Sequence, residues 1–120
     1  MTDQETAADN CLFCRIIRRE IPADVVLEDE HTLAFRDISP QAPVHVLVIP
    51  KVHHPDAAAL AAAAPEALVA LLEAVGAVAD QEGLWEGYRT VFNTGARAQQ
   101  TVFHAHAHVL GGRDMAWPPG

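Results

Sequence analysis

The run Thr101-Val102-Phe103-His104-Ala105-His106-Ala107-His108-Val109-Leu110 constrains this chain more than any other stretch. Three of the seven histidines stand here at alternate positions, with β-branched and aromatic neighbours, and Gly111-Gly112 closes the run. Such alternation is the pattern of a strand, in which successive side chains point to opposite faces. His104, His106 and His108 therefore share one face. Phe103, Ala105, Ala107 and Val109 make the other, which reads as core, with alanines that let a helix come close. A slip of one residue would bury three imidazoles, so the register is expected to be firmly held.

Aligned imidazoles suggest a metal, but distance argues against one ion for all three. At about 3.4 Å per residue, the α-carbons of His104 and His108 lie roughly 13–14 Å apart, whereas Zn–N bonds are only about 2 Å. Neighbours two positions apart could share a ligand. The pattern fits better a division of labour among groups that titrate near neutral pH: a nucleophile or base, an acid or oxyanion contact, and a third role. A polar strand facing solvent is the plain alternative. It leaves the in-register trio set against small residues unexplained.

At 120 residues the chain is long enough for one domain with a real core, and too short for two. Its formal charge of -8, from 8 basic and 16 acidic residues, offers no electrostatic footprint for nucleic acid or an anionic membrane. Neither a secretory apolar segment nor a membrane-length apolar run is visible, so a cytoplasmic protein is expected. In that compartment a structural disulfide between Cys11 and Cys14, the two cysteines, is not expected. Their C-x-x-C spacing leaves a zinc half-site, a redox pair or two small core residues.

Residues 1–9 are polar and acidic and read as a disordered tail, leaving residues 10–120 as a single domain. Asn10 is placed to cap a short helix over residues 11–19, with Leu12, Phe13, Ile16 and Ile17 facing inward. Strands are expected at 25–28, 32–37, 44–49 and 88–93, with His45 the one polar side chain in the third. Asp56 starts an alanine-rich turn over 57–63. A longer helix follows over 65–82, opened by Pro65 and stopped by Gly83. Its inward stripe is Leu68, Leu71, Leu72, Val75, Val78 and Ala79. The pattern is α+β: a largely antiparallel five-stranded sheet with helices on one side.

The His104-Ala-His106-Ala-His108 run with its two apolar followers resembles the His-x-His-x-His-x-x signature of the histidine triad superfamily. The stretch Ala34-Phe35-Arg36-Asp37-Ile38-Ser39-Pro40-Gln41-Ala42-Pro43-Val44-His45, with Leu47-Val48-Ile49-Pro50-Lys51, resembles the Hint branch almost residue for residue. So do Gln100-Thr101-Val102-Phe103, Leu110-Gly111-Gly112-Arg113 and the ending Trp117-Pro118-Pro119-Gly120, which sets the chain apart from the Fhit branch and the galactose-1-phosphate uridylyltransferases.

The resemblance implies a purine nucleoside phosphoramidase that cleaves the P–N bond of adenosine 5′-phosphoramidates through a nucleotidyl-histidine. It makes His106 the nucleophile, oriented by the backbone carbonyl of His104. It sets His108 against the phosphate or leaving group and His45 beside the site. Asp37 then accepts the ribose hydroxyls, and Ile38, Phe13 and Phe35 wall the purine. Asn93, Thr101 and the Val102 N–H serve the phosphate. It further implies structural zinc on Cys11, Cys14, His53 and His104, with His54 the rival to His53, and no organic cofactor. A homodimer carrying a ten-stranded sheet is implied as well. The rival functions are a dinucleoside polyphosphate hydrolase and a zinc-stabilised nucleotide-binding module with little catalysis. One departure stands out. Ala98-Gln99 occupies a position where the family often carries two glycines, so a left-handed backbone there would be strained.

Overall fold

The central strands are apolar on both faces, and each face is covered by its own helices. A computed structural model describes residues 10–120; the disordered tail expected at 1–9 lies outside the described residues. In chain order come a short helix Leu12–Ile17 (α1), strands Val25–Glu28 (β1), Thr32–Arg36 (β2) and Val44–Pro50 (β3), helices Ala57–Ala63 (α2) and Pro65–Gln81 (α3), strand Tyr88–Val91 (β4), a 3₁₀ turn Ala96–Ala98 and strand Ala107–Gly111 (β5). The strands form one 5-stranded sheet in the order β1-β2-β3-β5-β4, antiparallel at every pairing.

Helices lie on both faces, not on one. Ala34, Val46, Val48, Ala105, Ala107 and Val109 pack with Leu60 of α2 and with Leu71, Val75 and Val78 of α3. Leu33, Phe35, Leu47 and Ile49 point the other way, onto Cys11, Phe13, Cys14 and Ile16 at the N-terminal helix. Because the period of a strand is two, His104, His106 and His108 fall on the α1 side. Each fully buried leucine on the α3 side contributes about 1.5–3 kcal/mol, which fixes the sheet's register and with it the direction of the imidazoles.

The last strand is shorter than the sequence pattern suggests. The β3–β5 ladder ends at Val48 opposite Ala107, and residues 101–106 lie outside any strand. Pro50 closes β3, and the Ala105 N–H donates instead to the His54 carbonyl at 2.7 Å. Ala105 still faces the α3 core, but Phe103 is 48% exposed and is not core. β4 likewise stops at Val91, two residues before Asn93. Gly111 is required by packing: a Cβ there would sit 2.7 Å from both Leu84 methyl carbons. Gly112 adopts φ +88.

Helix ends follow local chemistry. Cys11, not Asn10, caps α1, its Sγ accepting the Cys14 N–H at 3.4 Å. Leu12 consequently turns to solvent. Asp56 caps α2 through the Ala59 N–H at 2.9 Å, and Pro65 opens α3. On α3 the buried stripe is Ala67, Leu71, Ala74, Val75, Val78 and Ala79. Leu72 is exposed, since a helix turns it about 100° away from Leu71. With Val69, three residues earlier and also exposed, it makes a second, outward apolar strip. Among the described residues no helix is long and apolar enough to cross a membrane.

Candidate active site and metal centre

The α1 face of the sheet carries two side-chain clusters that meet at His104. In the first, Cys11, Cys14, His53 and His104 offer one donor atom each, all within 4.8 Å of one another. The α1 cap places both sulfurs, and the segment after Pro50 brings in His53. The His104 Nδ1 lies 3.6 Å from Cys11 Sγ, 3.5 Å from Cys14 Sγ and 3.1 Å from His53 Nδ1, while Cys14 Sγ lies 3.3 Å from His53 Nδ1. A tetrahedral zinc ion, with bonds of about 2.3 Å to sulfur and about 2.0 Å to nitrogen, requires S···N separations of about 3.5 Å and N···N of about 3.3 Å. The donors fit that polyhedron. His104 Nε2–H donates to the Pro50 carbonyl at 2.8 Å, so its Nδ1 carries the lone pair turned toward the sulfurs, and a backbone group anchors the ring as a ligand's outer nitrogen needs. Burial pushes the Cys14 thiol up to about 12 and holds His104 down at about 4. Two buried thiols facing neutral imidazoles are what a cation would ionise. His54 gives only its carbonyl, to Ala105.

The second cluster is Asp37, His45, His106 and His108. Its proton positions follow from its hydrogen bonds. The Gln41 backbone N–H donates to His45 Nδ1 at 3.0 Å, which makes that nitrogen an acceptor and leaves the neutral ring's proton on Nε2. His45 Nε2 is 2.9 Å from His108 Nδ1 and 3.4 Å from Asp37 Oδ2, so the proton lies toward His108. His108 then carries its own proton on Nε2, a buried atom with no hydrogen-bond partner among the described residues. His106 Nδ1–H donates to the His104 carbonyl at 2.7 Å, leaving the Nε2 lone pair free. One ring in the row thus presents a lone pair and the next presents an unpaired N–H.

Burial keeps these rings neutral. It lowers His106 despite the opposing pull of the His104 carbonyl and Asp37, lowers His45 despite Asp37, and brings His108 to about 4 with help from His106 and His45. The Asp37–His45 contact is accordingly not an ion pair. Asp37, His45 and His108 also lie close enough to share a cation. Binding one would strip the proton from His45 Nε2 while Nδ1 is held as an acceptor, an imidazolate that this site does not favour.

Phe13 and Phe35 are buried, and Phe13 sets its ring edge to face against His106 at 5.0 Å. Ile38 is 99% exposed at the β2–β3 turn, where one oxygen of Asp37 already caps the turn through the Ser39 N–H at 2.8 Å. Val102 packs behind the α1 cluster. Asn93 and Thr101 lie on the loop before the histidine run and make no side-chain hydrogen bond to the triad. Sequence reading missed Gln100, a buried side chain that accepts from Gly95 N–H at 2.8 Å and donates to the carbonyls of Pro55 at 2.6 Å and Val102 at 3.1 Å. It stitches that loop to the rest of the chain. Gln99 does adopt the left-handed conformation, at φ 70 and ψ 28.

The whole arrangement has counterparts. The HIT domain family model matches residues 18–115. An uncharacterised HIT-like protein of Synechococcus elongatus is 60% identical over 115 residues, covering 94% of this chain and 99% of the relative. A protein of Zea mays named a 14 kDa zinc-binding protein is 54% identical, covering 91% of this chain and 87% of its own. Among solved structures, a HIT family hydrolase from Legionella pneumophila superposes with a TM-score of 0.88 at 52% identity, covering 92% of this chain and 100% of that one. With the family model spanning most of the chain and the triad standing on the expected sheet face, this protein belongs to the HIT-domain family.

Proposed function

We propose that this chain is a Hint-type hydrolase of purine nucleoside 5′-phosphoramidates, with His106 as the nucleophile. The observation that carries the reading is the 2.7 Å hydrogen bond from His106 Nδ1–H to the His104 carbonyl. It fixes the tautomer that a nucleophilic Nε2 needs and aims the ring without charging it. In the first step Nε2 attacks the α-phosphorus and the P–N bond breaks. The amine leaves with the proton that His108 Nε2 holds unpaired, the His45 Nε2–H bond to His108 Nδ1 stabilises the ring that has given it up, and the water of the second step returns a proton to His108 Nε2. Water then hydrolyses the nucleotidyl-histidine to release AMP. A resting neutral triad at pH 7 suits both halves, since burial holds all three catalytic imidazoles below their usual range.

The remaining roles rest on the family pattern. The Asp37 oxygen left free by the Ser39 turn accepts ribose hydroxyls. Ile38 covers one side of the purine, with Phe13 and Phe35 behind it. Asn93, Thr101 and the Val102 N–H face the phosphate. Cys11, Cys14, His53 and His104 would hold a zinc ion with all four positions filled, which supplies rigidity rather than chemistry. The relatives' names and the donor distances support this ion. The Leu72–Val69 strip on α3 and the unpaired edge of β4 fit a homodimer with a continuous ten-stranded sheet.

The test is a side-by-side measurement of kcat/KM on an adenosine 5′-phosphoramidate and a diadenosine polyphosphate. This reading expects the phosphoramidate to be preferred by orders of magnitude. Preference for the polyphosphate would reassign the chain to the dinucleoside polyphosphate hydrolases, and AMP binding without turnover of either would make it a binding module.

A further inference from the structure

All eight lysines and arginines lie within the described residues. Every one but Arg97 donates to a carboxylate or a backbone carbonyl. Arg97, in the 3₁₀ turn Ala96–Ala98, has no hydrogen bond and no ion pair among the described residues. In a chain of formal charge -8, where carboxylates outnumber cations, an unneutralised guanidinium is conspicuous.

Its place in the fold gives it a task. Val91, the last residue of β4, pairs with His108. The loop carrying Arg97 therefore leaves β4 just past the partner of His108 and returns into the histidine run through Thr101. It is not slack. The Ala98 and Gln100 N–H groups both donate to the Gly95 carbonyl at 3.1 Å, and the Gln100 side chain ties the loop to Pro55 at 2.6 Å. Gln99 is held in a left-handed conformation that costs a non-glycine residue about 1–2 kcal/mol, so the turn is set against local preference. The nucleoside end of a substrate belongs at Asp37 and Ile38, on the β2–β3 turn. The β4–β5 loop lies on the far side of β5 from β3 and at the opposite end of β5 from that turn, so a leaving group directed away from Asp37 would run toward it.

We infer that Arg97 selects leaving groups bearing a carboxylate: amino acids joined to the nucleotide through nitrogen, in preference to neutral or cationic amines. The inference rests on the phosphoramidase reading and names its substrate class. The reaction itself is unchanged. The P–N bond breaks, the amine nitrogen takes its proton from His108, and the carboxylate departs still ionised, paired with the Arg97 fork.

The test compares AMP–glycine phosphoramidate with AMP–glycinamide phosphoramidate, which differ chiefly by one negative charge. In the wild type the glycine compound is expected to have the higher kcat/KM. Arg97→Gln is expected to lose about fivefold on the glycine compound and nothing on the glycinamide. Arg97→Lys should keep part of the preference, and added salt should erode it in the wild type alone. An unchanged glycine-to-glycinamide ratio in Arg97→Gln overturns the assignment. Absence of turnover on both compounds would instead defeat the phosphoramidase reading. The Kd values of the same two compounds on His106→Asn, with and without Arg97→Gln, then decide Arg97 independently: a ratio unmoved by the second substitution overturns it.

Discussion

Replacing Cys14 by serine separates the structural cluster from the chemistry it holds in place. Cys14 Sγ sits 3.5 Å from His104 Nδ1 and 3.3 Å from His53 Nδ1, so its loss removes one corner of the tetrahedron while keeping nearly the same volume. Serine is a poor zinc ligand at neutral pH, and the ion is expected to be lost on dialysis against a chelator. His104 then keeps its 2.8 Å bond to the Pro50 carbonyl and its neighbours Cys11 and His53, but loses the ion that would tie them together. The consequence for catalysis runs through the backbone, because the carbonyl that orients His106 belongs to His104 itself. Loss of outer support at such a ligand costs about 10–100-fold, and a misplacement of about 1 Å at a reacting group costs on the order of 10²-fold. We therefore expect kcat on a phosphoramidate to fall about 10–100-fold. KM should stay within about twofold, because Asp37 and Ile38 lie outside the cluster. Elemental analysis, a melting curve showing the variant folded at the assay temperature, and steady-state kinetics complete the experiment. A folded, zinc-free Cys14→Ser protein with wild-type kcat would refute the coupling.

The remaining expectations concern the loop, the protons and the assembly. Gln99→Gly relieves a left-handed residue at φ 70 and, after the extra chain entropy of glycine, should stabilise the protein by about 0.5–1 kcal/mol in urea titration; a loss of about 1 kcal/mol would contradict the strain. The acid limb of kcat/KM should have its midpoint below 6.5, because burial lowers His106 and brings His108 to about 4; activity is then retained as pH falls through the ordinary imidazole range and lost only beneath it, and a midpoint at or above 6.5 counts against neutral buried rings. Leu72→Glu, on the exposed strip of α3, should convert a dimer to a monomer in analytical ultracentrifugation; a wild type that is monomeric at micromolar concentration removes that interface.

Side-chain periodicity was legible in the sequence, and backbone bonding was not. The alternation from His104 to His108 gave the correct face for each imidazole even though the strand itself begins only at Ala107. What ended the ladder was Pro50, two residues beyond its last β3 member Val48, and the Ala105 N–H goes to the His54 carbonyl instead. The C-x-x-C pair announced a cluster, yet its cap geometry, with Sγ of Cys11 in place of Asn10, needed the coordinates. On α3 the apolar periodicity admitted two overlapping stripes, and only the alanines at 67 and 74 against the sheet distinguish the buried one from Leu72. The tautomers of His45, His104 and His106 depend on the Gln41 N–H and on the Pro50 and His104 carbonyls. Backbone groups have no signature in a sequence. Gln100 resembled an ordinary loop residue because its three partners are likewise backbone atoms.

The most direct test is a rapid acid- and base-quench of the protein mixed with an adenosine 5′-phosphoramidate labelled at the phosphorus, followed by peptide mapping. The account predicts an acid-labile, base-stable label on His106, formed in a burst and missing in His106→Ala. Turnover of that substrate with no labelled protein, or a label carried by another residue, would contradict it.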